Sequence, residues 1–254
     1  MRYIKRCLKA FYMSFGMFCA IPLPRHIWDD SCANLVLPCF PLIGLLIGAI
    51  WRLAAELLVF SGVHAVLAGA VLSVTPFLLT GFLHLDGYMD TSDAVLSRRP
   101  LEEKLRILKD PHTGAFSVIS LVVLVVLQFA AMYAIIDAGK NLAMLIIISV
   151  ISRCCSSVSL LYLKAMPQSA YAALFKKNIR PSHKGFVIAV TALAAAAAFL
   201  SAGLNGLVVT ACVVLGFTAA MAYAYREFRG VSGDVTGYSL VLGELCGLIA
   251  LAVV

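Results

Sequence analysis

The sequence predicts an all-α polytopic membrane protein with about seven transmembrane helices. Apolar residues make up 62% of the 254 residues and charged residues only 13%, about half the share usual in soluble domains. The mean hydropathy is +0.96, and several apolar runs reach the roughly 20 residues that a membrane helix needs. Because a soluble fold could not bury so much apolar surface, the composition excludes an ordinary soluble domain and favours one integral membrane domain over residues 1–254.

The apolar runs place the predicted spans along the chain. We predict them at 35–60, 64–85, 114–136, 141–163, 185–202, 206–223 and 238–254. The segment Gly203-Leu-Asn-Gly206 supplies the turn between the fifth and sixth spans. Residues 8–24 are predicted to form a re-entrant or interfacial helix. Residues 100–109 are predicted to form a second interfacial helix, with a short solvated helix as the alternative, because their leucines share one face.

The distribution of basic residues predicts the orientation. Seven alternating spans place segments 1–34, 86–113, 164–184 and 224–237 on one side of the membrane, and these segments contain 17 of the 20 Lys and Arg residues. Basic loops stay in the cytoplasm, so we expect the N-terminus inside and the C-terminus outside, in the inner membrane of the cell. The net charge of +7 is explained by this bias and does not indicate a nucleic-acid partner.

The cysteine pattern indicates neither disulfides nor a zinc site. None of the eight Cys forms a CxxC pair, and most lie in apolar stretches, so they are predicted to be small buried hydrophobic residues. The sequence also contains no GxxxxGK[ST] phosphate loop and no visible Ser/His/Asp or Cys/His nucleophile constellation.

An acidic run follows the second predicted span. Asp86, Asp90 and Asp93 would lie within about 60° of arc on a helix with 3.6 residues per turn. Like charges this close resist ionisation unless a cation joins them, and carboxylate oxygens suit Mg²⁺ or Mn²⁺. Mg²⁺ usually completes its shell with water and substrate phosphate. The run therefore predicts a site for a phosphate or diphosphate group at the cytoplasmic face, with three solvated aspartates as the alternative.

Two further acids flank predicted spans on the same side. Asp110 precedes the third span and is either another metal ligand or a residue that begins the helix. Asp234 lies in Gly233-Asp234-Val-Thr-Gly237 before the last span, a pattern that is either a simple turn or part of a phosphate site.

Charged residues inside spans are costly and are retained for a partner or a function. Arg52 and Glu56 stand four residues apart and are predicted to pair. Arg153 has no partner nearby in sequence, so it meets either a carboxylate on another helix or a substrate phosphate. Glu244 is an analogous candidate. His84 points away from the acidic face and is predicted to hydrogen-bond a substrate or a neighbouring group rather than a metal.

Five motifs occur in order along nearly the whole chain and together resemble those of the cobalamin synthase, or cobalamin-5′-phosphate synthase, family. The chain departs from the family pattern at Phe82, where a second Gly is usual, at Ser117, where Gly often follows Ala-Phe, and at Tyr238, where Ala is common. The motifs are Ala20-Ile-Pro22-Leu-Pro24, Gly81-Phe-Leu-His84-Leu-Asp86-Gly87-Tyr-Met-Asp90-Thr-Ser-Asp93, Leu105-Arg-Ile-Leu-Lys109-Asp110 with Gly114-Ala-Phe116, Ser152-Arg153, and Gly233-Asp234-Val-Thr-Gly237 with Glu244.

The resemblance implies a Mg²⁺-dependent transferase, with Mn²⁺ as a substitute. It would join adenosylcobinamide-GDP to α-ribazole or its 5′-phosphate, release GMP and yield adenosylcobalamin or its 5′-phosphate, in the last steps of cobalamin biosynthesis. The implied site residues fall into three groups. The metal ligands would be Asp86, Asp90, Asp93 and Asp110; the catalytic residues Asp93, Arg153 and Asp234; and the groups that contact bound substrate or cofactor Lys109, His84 and Glu244.

Two alternatives remain at this point. A CDP-alcohol phosphatidyltransferase also uses acidic helices and a nucleotide diphosphate, but its motif continues from Asp-Gly with Ala-Arg, whereas Asp90-Thr91 stands here. A cation-coupled transporter would place carboxylates near the bilayer midplane, often in paired repeats. The sequence places them at one edge without a repeat. The sequence does not determine the oligomeric state, and a homo-oligomer remains one of the alternatives.

Overall fold

The computed structural model describes residues 2–167, 169, 174–176 and 179–254, and it confirms the all-α fold in this part of the chain. An isolated bridge between Ala165 and Val231 is the one β-type pairing there. The helices are α1 (Arg2–Phe18), a 3₁₀ helix (Asp30–Leu35), α2 (Val36–Phe60), α3 (Ala65–Leu79), α4 (Leu83–Leu96), α5 (Leu101–Ile107), α6 (Ala115–Asp137), α7 (Met144–Tyr162), α8 (Pro181–Phe228) and α9 (Gly233–Val253).

Five helical segments are long and apolar enough to cross a membrane, within the part of the chain that is described. They are α6, α7, α8, α9 and the segment Asp30–Phe60, and a sixth is added if α3 and α4 form one bent span. The polytopic membrane fold is therefore confirmed. The count of seven crossings and the orientation stay predictions.

Helix α8 reverses direction at Gly203. The 48 residues of α8 would make a straight helix about 72 Å long, more than twice the roughly 30 Å of the hydrocarbon core. Gly203 instead has φ 58° and ψ −138°, which glycine adopts without a steric penalty. A side chain at Gly206 would collide with the carbonyl of Ala198, a residue about 12 Å away in a straight helix. The predicted turn is thus confirmed, and α8 supplies two antiparallel segments.

The predicted continuous span at 64–85 is wrong. Helix α3 ends at Leu79, and α4 continues at 92° to it. Gly81 and Phe82 both have left-handed backbone angles, with φ 58° and 62°, and two such residues in succession end a right-handed helix. A left-handed conformation costs a non-glycine residue about 1–2 kcal/mol, which gives a physical reason for the glycine that the family pattern has at Phe82. Hydropathy missed the bend because the residues around it are apolar.

The helix ends gather at two opposite ends of the bundle. At one end, which we call the site end, Ala20 N donates to Leu79 O at 2.8 Å and Met166 N donates to Val231 O at 3.0 Å. The first bond joins the segment after α1 to the end of α3, and the second joins the segment after α7 to the connection between α8 and α9. At the other end, Asn141 Nδ2 donates to Ser201 O at 2.8 Å. The long helices therefore alternate in direction, and α4 and α5 both belong to the site end.

Two helices near the site end differ from the predictions, one in its boundary and one in its packing. Helix α9 begins at Gly233, five residues before the predicted 238, so Asp234 lies in its first turn and not in a preceding loop. Helix α5 was predicted to lie on the membrane surface, but it also packs against the helix bundle. Its Lys104 is buried and forms an ion pair with Glu227 near the end of α8. This pairing could not be predicted from the local pattern, because the partners are 123 residues apart.

Candidate active site

Helix α4 presents the predicted acidic face. Asp86 is exposed, and Asp90 and Asp93 are half-buried, while His84 and Tyr88 on the other side are buried. The helical spacing that predicted this face is confirmed, since α4 is helical from Leu83 to Leu96. The side chains that anchor α4 in the bundle are thus separate from the carboxylates that it presents.

Glycines bring a fourth carboxylate to this face by letting α4 and α9 approach closely. A Cβ atom on Gly87 would lie 2.8 Å from Asp234 Cα, and one on Gly237 would lie 3.1 Å from His84 O. The rings of Tyr88 and Tyr238 stack beside this contact with centroids 5.7 Å apart. Asp234, in the first turn of α9, is therefore held next to the acidic face of α4.

The four carboxylates, which we call the acidic cluster (Asp86, Asp90, Asp93 and Asp234), repel one another. Asp90 lies close enough to the other three carboxylates for their negative charges to act on it. No member forms an ion pair with a cationic side chain among the described residues. Within the same residues, no three His, Cys, Asp or Glu side chains stand close enough to enclose a metal ion by themselves. The cluster can therefore accept a cation, but the remaining ligands would have to come from elsewhere.

Asp93 also caps helix α6, which the sequence did not indicate. Ser117 N donates to Asp93 Oδ1 at 3.3 Å, and the carboxylate lies directly against Gly114, where any side chain would collide with it. Gly114 is the N-cap residue just before α6 and has no side chain with which to cap it. Asp93 therefore satisfies a free N–H group of the first turn, and its charge suits this end of the helix. Its second oxygen forms no hydrogen bond within the described residues.

Asp110 makes its contacts within its own loop. It accepts hydrogen bonds from the backbone N–H of His112 at 3.0 Å and lies 2.7 Å from His112 Nδ1. The backbone hydrogen bond and the His112 ring hold the pKa of Asp110 below its ordinary value. No described hydrogen bond or ion pair joins Asp110 to the acidic cluster, so its role as a metal ligand stays a prediction. Lys109 is exposed beside it.

Arg153 and Glu244 form a buried ion pair between α7 and α9. Their side chains are 1% and 6% exposed, and Ser152 Oγ donates to Glu244 Oε1 at 3.0 Å. Of the two partners considered for Arg153, the structure supplies the carboxylate. Glu244 is ten residues beyond Asp234 on α9, about 15 Å along the helix axis. The pair therefore lies deep below the acidic cluster. The roles implied by the resemblance, catalytic for Arg153 and substrate-binding for Glu244, stay predictions.

His84 lies between the acidic cluster and the core. Its ring packs against Phe18 and Phe40, with centroids 6.3 and 5.7 Å away, and the charge of Arg153 reaches it. His84 Nε2 is buried without a hydrogen-bond partner in the described part of the chain. Its contact with substrate stays a prediction.

The arrangement of motifs agrees with the comparisons with known proteins. The model of the cobalamin-5-phosphate synthase family matches residues 10–252. The chain belongs to this family. Because the match spans nearly all of the sequence, it includes every residue of the acidic cluster and both members of the buried ion pair.

Curated relatives from several bacteria carry one name, adenosylcobinamide-GDP ribazoletransferase. The protein from Clostridium botulinum is 38% identical over 247 residues, covering 97% of this chain and 98% of the relative. The one from Clostridium perfringens is 39% identical over 246 residues, with 97% and 98% covered. The one from Lachnoclostridium phytofermentans is 30% identical over 250 residues, with 97% and 94% covered. These relatives are transferases by name, and no solved structure matches the chain.

The close approach of α4 and α9 in this family member gives a direct prediction. Gly87→Ala places a methyl group against the backbone of Asp234, which cannot move aside as a flexible side chain would. We expect the helices to separate, the thermal unfolding midpoint to fall, and stability to drop by about 1–3 kcal/mol. Turnover should fall at least roughly tenfold, since a small misplacement of catalytic groups is costly.

Gly185→Ala is the matched control, because a Cβ atom there meets open space within α8. Alanine favours a helix by about 1 kcal/mol over glycine, so this variant should be as stable as the parent or more so. Equal stability and turnover for both variants would contradict the proposed role of Gly87.

Proposed function

We propose that this chain joins adenosylcobinamide-GDP to α-ribazole or its 5′-phosphate, releasing GMP and forming adenosylcobalamin or its 5′-phosphate. The observation that supports this function best is the acidic cluster. Its four carboxylates belong to the family motifs, and none has a cationic partner among the described residues. Such a cluster suits a substrate that arrives as a diphosphate with a divalent cation. An anion that arrived without a cation would be repelled by the four carboxylates.

We further propose Mg²⁺ as the cation, with Mn²⁺ as a substitute. The donor set fits this ion, because Mg²⁺ typically takes one or two protein carboxylates together with water and substrate phosphates and does not need a closed protein cage. One or two carboxylates from the set Asp86, Asp90 and Asp234 would hold it, while Asp93 already uses one oxygen on α6. A bound Mg²⁺ would neutralise negative charge on the diphosphate and the leaving GMP.

The chain's own residues then position the substrates and accept one proton. A ribose hydroxyl oxygen that is free in both α-ribazole and its 5′-phosphate forms a bond to the phosphorus attached to cobinamide, and the bond from that phosphorus to the oxygen of GMP breaks. A carboxylate of the cluster accepts the hydroxyl proton, with Asp93 Oδ2 as the candidate. Lys109 is exposed and available to bind phosphate oxygens, whereas Arg153 is already occupied by Glu244.

We propose that the site end lies on the cytoplasmic side of the inner membrane. It carries the segments that contain most of the Lys and Arg residues, and such segments remain on the cytoplasmic side. The nucleotide-linked substrate would then reach the acidic cluster without crossing the bilayer.

The test uses the purified protein in liposomes. With adenosylcobinamide-GDP, α-ribazole and Mg²⁺, we expect a cobamide and GMP in equal amounts, and no turnover after a chelator removes the metal. CDP-diacylglycerol with an alcohol acceptor should give no product. Failure to form a cobamide with metal present would refute the proposed reaction, and product from CDP-diacylglycerol would favour the phosphatidyltransferase alternative.

A further inference from the structure

Two cavities lie side by side at the site end. No residue of the acidic cluster lines either of them. The first is polar, has a volume of about 430 Å³, and is lined among others by Arg6, Asn34 and Arg180. The second is apolar, has a volume of about 510 Å³, and lies between α1, the start of α2 and the start of α8. Leu35 and His183 line both cavities, so the polar cavity continues into the apolar groove.

The polar cavity is positively charged. Arg6 is fixed there by donating to Ser31 O, and the charges of Arg6 and Arg180 both act on the ring of His183. No carboxylate lines this cavity in the described part of the chain. The nearby Asp29 is already paired, with Lys9 Nζ at 2.6 Å. The cavity therefore lacks the negative charge that would balance its two guanidinium groups.

The groove beside it is suited to a hydrocarbon chain. Its walls include Leu8 and Phe11 of α1, Pro38 and Leu42 of α2, and Phe186 of α8. Helix α1 has a strongly apolar face and a basic one, which is typical of a helix that lies in the plane of the membrane interface. With α1 at the membrane interface, the groove would open where acyl chains begin, and the polar cavity would lie at the level of the lipid headgroups.

We propose that the two cavities together bind one anionic phospholipid, with its phosphate at Arg6 and Arg180 and an acyl chain in the groove. Neither half of the site explains the other by itself. A free phosphate would leave the groove empty, and an uncharged lipid would leave two guanidinium groups without a counter-charge. An anionic phospholipid satisfies both, because Arg binds phosphate oxygens in pairs of hydrogen bonds and basic residues at the interface attract anionic lipids.

The experiment is native mass spectrometry of the intact protein released from micelles containing equal amounts of phosphatidylglycerol and phosphatidylcholine. We expect the first bound lipid to be phosphatidylglycerol. In the double variant Arg6→Gln/Arg180→Gln this preference should fall roughly tenfold. Arg226→Gln is the matched control at the same end of the bundle, since Arg226 lies outside both cavities, and it should keep the preference.

Three results would overturn the proposal. They are equal retention of the two lipids by the parent protein, an unchanged preference in the double variant, and displacement of the lipid by inorganic phosphate or α-ribazole 5′-phosphate, which would assign the cavity to a soluble phosphate. If the double variant does not fold, the parent protein's preference and the displacement arm still decide. None of these measurements depends on turnover, so their outcome is independent of the proposed reaction.

Discussion

Asp90→Asn is expected to reduce turnover about 100-fold or more while leaving the fold intact. Asp90 lies among three other carboxylates, so the change removes one negative charge from the point where the proposed cation would bind. A 100-fold factor corresponds to a loss of about 2.7 kcal/mol of charge stabilisation in the transition state. The thermal unfolding midpoint should stay the same or rise, because removing one of several like charges relieves repulsion. Rates over a range of Mg²⁺ concentrations and Mn²⁺ binding by electron paramagnetic resonance measure the two effects.

Asp137→Asn provides the control for this variant. Asp137 is exposed at the last residue of α6, at the end of the bundle opposite the acidic cluster, and its replacement should change neither turnover nor Mn²⁺ binding. If Asp90→Asn bound Mn²⁺ as tightly as the parent and kept near-parental turnover, the metal site assigned to the acidic cluster would be refuted.

Glu244→Gln is expected to cause the largest loss of stability. The change keeps the size of the side chain but leaves Arg153, which is 1% exposed, without its counter-charge. Breaking a buried ion pair in this way costs about 3–5 kcal/mol. The double variant Arg153→Met/Glu244→Leu removes both charges and should regain most of that stability, since a buried pair is often no more stable than apolar residues of similar volume. Unfolding in detergent, followed by heat or denaturant, measures both changes.

The exposed pair in α2 is a control with the same chemistry. Arg52 Nε lies 2.7 Å from Glu56 Oε1, with both side chains more than 40% exposed. Glu56→Gln should therefore cost less than Glu244→Gln, because other helices do not enclose Arg52 and its side chain can reorient toward the membrane interface. If Glu244→Gln were no more costly than this, the buried pair would not stabilise the bundle. Turnover in the double variant is a separate readout. We expect it to return with stability. A stable but inactive double variant would support the catalytic role of Arg153 and the substrate-binding role of Glu244 that the resemblance implies.

Local features of the site could be predicted from the sequence. The acidic face of α4 follows from the spacing of Asp86, Asp90 and Asp93, because residues four and three positions apart share one side of a helix. The pairing of Arg52 with Glu56 has the same origin. The turn at Gly203 was also predictable, since glycine between two apolar runs allows the left-handed backbone that reverses the chain.

Other features involve residues that are distant in sequence, and only the tertiary structure decided them. The partner of Arg153 is 91 residues away in the sequence. Asp93 accepts a hydrogen bond from the first turn of α6, 24 residues later. The bend between α3 and α4 escaped prediction for a different reason, because hydropathy measures the affinity of side chains for lipid and is insensitive to backbone angles. Sequence by itself therefore determined the apolar helices, the acidic face and the family, since these depend on residue type and short-range periodicity. The tertiary structure decided that Asp234 joins the acidic cluster and that Arg153 pairs with Glu244, because these contacts exist only when packed helices approach closely.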